Sequence, residues 1–451
     1  MDRLQLLHSE LASRGVPLDG MLLEDGWDDT EEPWRAERSN FPNGIAPLGA
    51  AAAARNVSLG VWISPWGGFG ESGKRRIRAG VARSFELHAG SQYTFRLGGP
   101  NYRARFRNAT LDLVGASNVS MFKVDGFGAG MGATSAGAYS EDVDRLLDLT
   151  EELRGGAARD LWVTLSTGSW PSPFWLMSAS AVWRGGPDLG RLGAGSARQQ
   201  WITFRDAMVR QWVVQRAPLF PLSSLALGGI VWSSVEEPGA YLSSYDADDF
   251  AAEVRSFFLT GVTFQELYLQ PALLTPRHWD VLAEAANLSR AHSVVLRDSH
   301  WAGGDPQAGE VYGYAAFACP PCRGLLSWRN PQAAPQNLTF TLRAALAVPR
   351  SWPGGATGGR WRLEPLWAAG EASSSTAAPG NSSGPAPVVG PAPVLGPAPV
   401  PRSPSSGPSP APQPGPAPPR RLGGSLYLDD AMTLELGAFE LWAMLATPLP
   451  V

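Results

Sequence analysis

The chain is poor in metal-binding and basic residues: two cysteines, five histidines and no run of lysine or arginine longer than the three of Lys74, Arg75 and Arg76 in 451 positions. The two cysteines form a single "CPPC" (Cys319, Cys322), which cannot supply four zinc ligands, and the histidines are scattered, so neither a metal nor another cofactor is expected. No thioredoxin-like strand and helix surround the pair; it reads as a turn, with or without a local disulfide, ahead of a redox site. A net charge of −4 without basic clusters speaks against nucleic acid and acidic membrane surfaces as partners. Long apolar runs are also lacking. The longest, "PLFPLSSLALGGIVW" (218–232), is broken by proline and serine, is too short to span a bilayer and reads as core.

The amino terminus, "MDRLQLLHSELASRG", has a helical apolar pattern without the hydrophobic centre of a signal peptide. Asparagine is scarce at ten residues, yet six of these begin an Asn-x-Ser/Thr sequon: Asn56, Asn108, Asn118, Asn287, Asn337 and Asn381. Serine and threonine together fill about one position in seven, so chance would give far fewer. Two readings stand: accidental sequons in serine-rich loops, or a secretory-pathway protein, secreted or vacuolar/lysosomal, whose signal is not in this chain.

What the chain does have is 44% hydrophobic residues and 18 tryptophans, enough for a sizeable core in two or more units. Up to about residue 290, short β-rich runs alternate with helical patterns. The runs are "DGMLLEDGW", "SLGVWISPW", "VSMFKVDG", "DLWVTLSTG", "SAVWRGG", "APLFPLSS" and "TFQELYLQP". Seven strand candidates in this order predict an α/β domain over 1–290, a (β/α)8 TIM barrel one strand short. A helix, "DRLQLLHSELASRG", stands where a first strand would precede it, so the expectation is that the first strand is missing. Residues 291–451 change to strand-like runs with turn residues, "EVYGYAAFA", "GLLSWRNP", "LTFTLRAAL", "RWRLEPLW", "SLYLDD" and "FELWAMLA", which predicts an antiparallel C-terminal β-sandwich. Into that domain is inserted a segment, about 371–421, with 16 prolines and the repeat "GPAPVVGPAPVLGPAPV". Its composition predicts disorder or polyproline II.

Within "MFKVDG" (121–126), Lys123 and Asp125 alternate with Phe122 and Val124, so a strand there puts both charges on the face opposite the apolar pair. In a parallel barrel that face is the interior near the carboxyl end, where barrel enzymes carry their chemistry. Other strand ends add Glu24, Asp25 and Trp27, then Trp62, Ser64 and Trp66, and later Trp183, Arg184 and Asp188. Carboxylates, cations and tryptophans on one rim suit a neutral polyol such as a sugar.

"LEDGW", "FPNGI" (41–45), "LGVWISP", "FKVDG" and "WRGGPD", in order over about residues 20–190, resemble the melibiase-type α-galactosidases, retaining glycosidases of glycoside hydrolase clan D. The resemblance implies a carbohydrate substrate and sets no oligomeric state. It makes Asp125 the nucleophile and Asp188 the general acid/base, with Glu24 and Asp25 as the acidic pair on sugar hydroxyls and Lys123 and Arg184 as cations beside the two aspartates. Trp62 and Trp66 are candidate sugar platforms. The chain departs from the pattern at Glu24, which stands for the more usual aspartate, and at "STGSWP", where Ser166, Thr167 and Trp170 take the place of residues that contact the sugar's C2 substituent. Blander readings are a structural Lys123–Asp125 pair, a turn or cap role for Asp188, core roles for Trp62 and Trp66, a structural or solvated Glu266, and a loop surface at Glu236 and Glu237. The implied function is hydrolysis of terminal α-galactosides or a related α-linked sugar. The alternatives are a galactosyltransferase resembling the raffinose synthases and a non-catalytic sugar-binding relative.

Overall fold

The computed structural model describes residues 2–88, 94–126, 139–156, 160–167, 170–233, 247–351, 359–367 and 426–449. The proline-rich segment, Asn381 and the pair Glu236 and Glu237 lie outside the described residues.

In the first half, β1 (Gly20–Leu23), β2 (Ser58–Ile63), β3 (Val119–Val124), β4 (Trp162–Leu165), β5 (Ala181–Trp183) and β6 (Leu225–Ala226) form one parallel sheet in chain order. Next come β7 (Ile230–Trp232) and β8 (Leu267–Leu269), a further parallel pair. Register sorts the side chains. Val61, Phe122 and Val163 are aligned and buried under the helices, whereas Trp62, Lys123 and Thr164 are aligned one position on and face inward. Met121 shares the inward face with Lys123, since it is two residues away, and packs beside Gly60.

The helices are α1 (Asp2–Ala12), α2 (Ala46–Ala53), α3 (Gly70–Val81), α4 (Pro100–Ser117), α5 (Ser140–Gly155), α6 (Ala197–Val209), α7 (Ala247–Leu259) and α8 (Pro276–Ala291). In α5, Leu146, Leu149 and Leu153 recur at helical spacing and are buried. The helix layer continues from α8 to α1 to α2. Arg14, just past α1, donates to Asp280 of α8 at 2.7 Å, and Arg55, just past α2, donates to Gln5 of α1 at 3.0 Å. Among the described residues, β1 and β8 do not pair with each other.

The β-rich C-terminal domain comprises β9 (His300–Gly303), β10 (Tyr312–Ala318), β11 (Arg323–Arg329), β12 (Gln336–Thr341), β13 (Arg360–Pro365), β14 (Leu426–Tyr427), β15 (Ala431–Leu436) and β16 (Leu441–Pro448). Six of them form an antiparallel sheet ordered β14-β13-β16-β11-β10-β9, and β12 pairs with β15. Trp328, Trp361 and Met444 of the first sheet share a core with Met432 and Leu436 of the second. Cys319 and Cys322 are disulfide-bonded in the turn between β10 and β11. Buried polar groups join the two halves: Asp206 of α6 accepts from Tyr312 at 2.9 Å and Tyr314 at 3.1 Å, and Arg329 donates to Thr203 and to Gln199.

Three expectations are corrected. "APLFPLSS" (217–224) is not a strand: Pro218 and Pro221 lack an amide hydrogen, and the segment runs through turns and a short 3-10 helix, Leu222–Ser224, before β6 begins. The strand β7 lies inside the apolar run read only as core. In the C-terminal half, β9 and β15 are additional strands, and "LTFTLRAAL" changes after Thr341 from strand to one helical turn.

Candidate active site

The side chains of interest gather at the carboxyl ends of β1 to β5 and on β8. Asp125 follows β3; its backbone N–H still donates to Ile63 O of β2 at 2.8 Å, which fixes the residue at the sheet's rim. One carboxylate oxygen accepts from Trp62 Nε1 at 3.0 Å and the other from the Gly126 amide at 2.8 Å. Gly126 has φ +72, and a Cβ there would meet the Phe69 ring at 2.7 Å, so glycine lets Phe69 lie close beside Asp125.

Two residues away on the same face, Lys123 Nζ meets three oxygens: Glu24 at 2.8 Å, Glu266 at 3.1 Å and the Tyr268 hydroxyl. Tyr268 in turn has one proton and two acceptors, Glu266 at 2.7 Å and Glu24 at 2.9 Å. Side chains thus bridge β8 to β1. Burial alone would lower the lysine pKa, but the charges of Glu266 and Glu24 outweigh it and hold Lys123 well above the ordinary lysine value. Burial, reinforced by Glu266, raises Tyr268 far above an ordinary phenol, so it stays a donor.

Asp25 pairs with Arg76 of α3, a fully buried guanidinium that also grips Asp28 at 2.6 and 3.0 Å. Arg76 lies over the rings of Trp34 and Trp62, at 4.9 and 5.4 Å. Asp25 is therefore anchored from behind through an ion pair that also backs Trp62.

Asp188 sits on the loop after β5, and Arg184 shapes that loop. The guanidinium donates to the carbonyls of Gly185 at 2.6 Å, Pro187 at 2.9 Å, Asp188 at 3.2 Å and Leu227 at 3.0 Å, and stacks on Trp183 at 4.4 Å. Asp188 is reached by solvent, yet its surroundings are dense. Loss of hydration, and then the charge of Asp125, raise its pKa, against the opposing pull of Arg184 and Lys123. The charge of Asp125 thus reaches Asp188.

The remaining expected residues fall in different places. Trp62 and Trp66 are buried, at 2% and 4% exposure; Trp62 gives its N–H to Asp125, Trp66 to Asp142 at 3.0 Å. Trp170 is 43% exposed. Ser64 Oγ and Thr167 Oγ1, past the ends of β2 and β4 on either side of Asp125, are buried hydroxyls without a hydrogen-bond partner among the described residues. Sequence reasoning set Glu266 aside and did not reach Tyr268 or Arg76. The one available signal was the i, i+2 spacing of Glu266 and Tyr268 on a strand, the same signal that picked out Lys123 and Asp125.

Among the described residues no cluster of His, Cys, Asp and Glu could hold a metal ion, and no helix is long and apolar enough to cross a membrane. The arrangement offers two carboxylates in unlike environments beside a fixed cation, which is equipment for acid–base and nucleophilic chemistry.

No protein-family model and no curated protein sequence matches the chain. Solved structures do. A candidate α-N-acetylgalactosaminidase from Bacillus halodurans aligns with a TM-score of 0.61 at 11% identity, over 99% of this chain and 92% of that one. An α-galactosidase from Lactobacillus brevis aligns with a TM-score of 0.60 at 10% identity, over 100% and 53%. One from Geobacillus stearothermophilus, solved in complex with raffinose, gives 0.53 at 11% identity, over 80% and 48%. The chain spans about half the length of the last two. Its fold is that of the melibiase-type α-galactosidases, an α/β barrel-like domain followed by a β-rich domain.

Proposed function

We propose that this protein is a retaining α-glycosidase that hydrolyses terminal α-galactosides, with Asp125 as nucleophile and Asp188 as general acid/base. The observation that carries the reading is the contrast between the two carboxylates. Asp125 accepts two hydrogen bonds that suit an anion, whereas Asp188 is held toward its protonated form by lost hydration and by Asp125 itself. A double displacement needs that asymmetry. In the first step an Asp125 oxygen bonds to the anomeric carbon, the bond to the leaving oxygen breaks, and the Asp188 proton goes to that oxygen. In the second, Asp188 takes a proton from water, the water oxygen bonds to the anomeric carbon, and Asp125 is released. Glu24 and Asp25 hold sugar hydroxyls, braced from behind by Tyr268 and Arg76, and Lys123, whose three protons go to Glu24, Glu266 and Tyr268, is the cation that fixes this group beside Asp125.

Following an α-galactoside by proton NMR tests the reading: the first sugar released is the α-anomer. Release of the β-anomer overturns the double displacement, and turnover only when sucrose is supplied as acceptor identifies the transferase instead. We further infer passage through the secretory pathway. The five described sequon asparagines, Asn56, Asn108, Asn118, Asn287 and Asn337, are all exposed, which supports this. Asn56 and Asn118 also have a backbone reason to be asparagine, since both take left-handed φ, 56° and 55°, where α2 and α4 give way to strands.

A further inference from the structure

A patch outside the cluster just described touches the loop that carries Asp188. Gly186, two residues before Asp188, has φ +74, and a Cβ there would lie 2.5 Å from Trp212 Nε1, so Trp212 packs directly on the loop. That indole N–H is buried and has no hydrogen-bond partner among the described residues. Over Trp212 lies the Arg216 guanidinium, 4.5 Å from the ring centroid, and the same guanidinium is 5.9 Å from the ring of Trp170. Arg216 is exposed and pairs with no carboxylate among the described residues, and Trp170 is 43% exposed. Trp170 belongs to the loop after β4, which stands in the sheet between β3, before Asp125, and β5, before Asp188.

We propose that Trp170, Arg216 and Trp212 form a subsite for the leaving group, and that the group it takes is a sugar ring. This rests on the reading of Asp188 as general acid. The acid hands its proton to the glycosidic oxygen, so whatever flanks it on the open side meets the departing group. A half-exposed indole suits the C–H surface of a pyranose, and an uncommitted guanidinium supplies several donors to hydroxyl oxygens without needing an anion. A sugar alkoxide is also the leaving group that most needs a protonated Asp188. Trp170 thereby acts on the leaving-group side of the scissile bond and not at the C2 substituent.

The test has two arms. In the first, kcat/KM for raffinose and for p-nitrophenyl α-galactoside is measured in the wild type, Trp170→Ala and Arg216→Gln; the ratio of raffinose to aryl substrate is expected to fall about tenfold in each variant. In the second, binding of sucrose, the leaving group of raffinose, is followed by saturation-transfer NMR without catalysis. Both variants are expected to weaken it at least fivefold while leaving galactose binding alone. An unchanged ratio, sucrose binding equal in all three proteins or absent from the wild type, or a phenol or sugar phosphate bound at Arg216 in place of sucrose each overturns the subsite. Sucrose binding lost in the variants, with neither substrate hydrolysed by the wild type, supports the subsite and overturns the glycosidase reading.

Discussion

Replacing Lys123 by methionine keeps most of the side chain's length and removes its charge, which tests the group of residues that bridges β8 to β1. Glu24 and Glu266 would then face each other across Tyr268 with no cation between them. Breaking a buried ion pair by removing one partner costs about 3–5 kcal/mol. Glu266 is 12% exposed and leaves little room for hydration, but Glu24, at 40%, can turn to water, so the low end, about 3 kcal/mol, applies. For a domain of this size each kcal/mol moves the melting temperature by about 2–4 °C, which gives a drop of about 6–12 °C by calorimetry at pH 7. The lysine's folded-state pKa is raised, so its contribution is fully present below the unfolded value and is lost only as pH rises through the folded one. The drop is therefore expected to be constant between about pH 6 and 9. Glu266→Gln in the same chain removes one of the two stranded charges and should recover about half of the loss. A drop below about 2 °C, or a double variant no more stable than the single, would show that the bridge does not hold the strands.

Asp188→Ala should slow substrates with alkoxide leaving groups about a hundredfold or more and aryl glycosides far less, because a phenol departs with little protonation; equal losses in the glycosylation step would remove Asp188 from the acid's role. The same carboxyl, raised in the folded state, favours folding while protonated and loses that contribution as pH rises through its folded pKa. Asp188→Asn should thus raise the melting temperature at pH 7 and have little effect at pH 3, as thermal melts at the two pH values would record. Asp125→Asn removes the neighbouring charge, and carbon NMR of labelled aspartate should find the Asp188 pKa lowered toward the ordinary carboxylate value. Cutting the chain from about Ala377 to Pro418 should leave activity and melting temperature unchanged: β13 and β14 pair directly, Trp361 opposite Leu426, so the remaining residues need only a short connection. A melting point lowered by more than a few degrees would show that the segment packs against the domain.

Period-two alternation was enough to read Lys123 and Asp125 onto one face of a strand, because that signal is local and the sheet kept it. The partners of Lys123 were not legible. Glu266 and Tyr268 are more than 140 positions away and meet it only because the parallel strands curl until β8 faces β3, and no local pattern encodes curvature. Arg76 stands in sequence beside Lys74, Arg75 and Arg78 with nothing to set it apart, and only the fold buries it against Asp25 and Asp28. The strand expected at 217–224 failed for the opposite reason, since an apolar run was given more weight than its two prolines. Short β7 and β9, of three and four residues, carry too few alternations to stand out before their partners are known.

The identity of Asp125 as nucleophile is the claim on which the mechanism turns, and trapping addresses it directly. Incubation with an activated fluorinated α-galactosyl donor, which forms the covalent intermediate quickly and hydrolyses slowly, followed by peptide mapping, should yield one sugar per chain on the peptide containing Asp125. The label should be absent from Asp125→Asn and should turn over when an acceptor is added. A label on any other residue, or inactivation without a covalent adduct, would contradict the account.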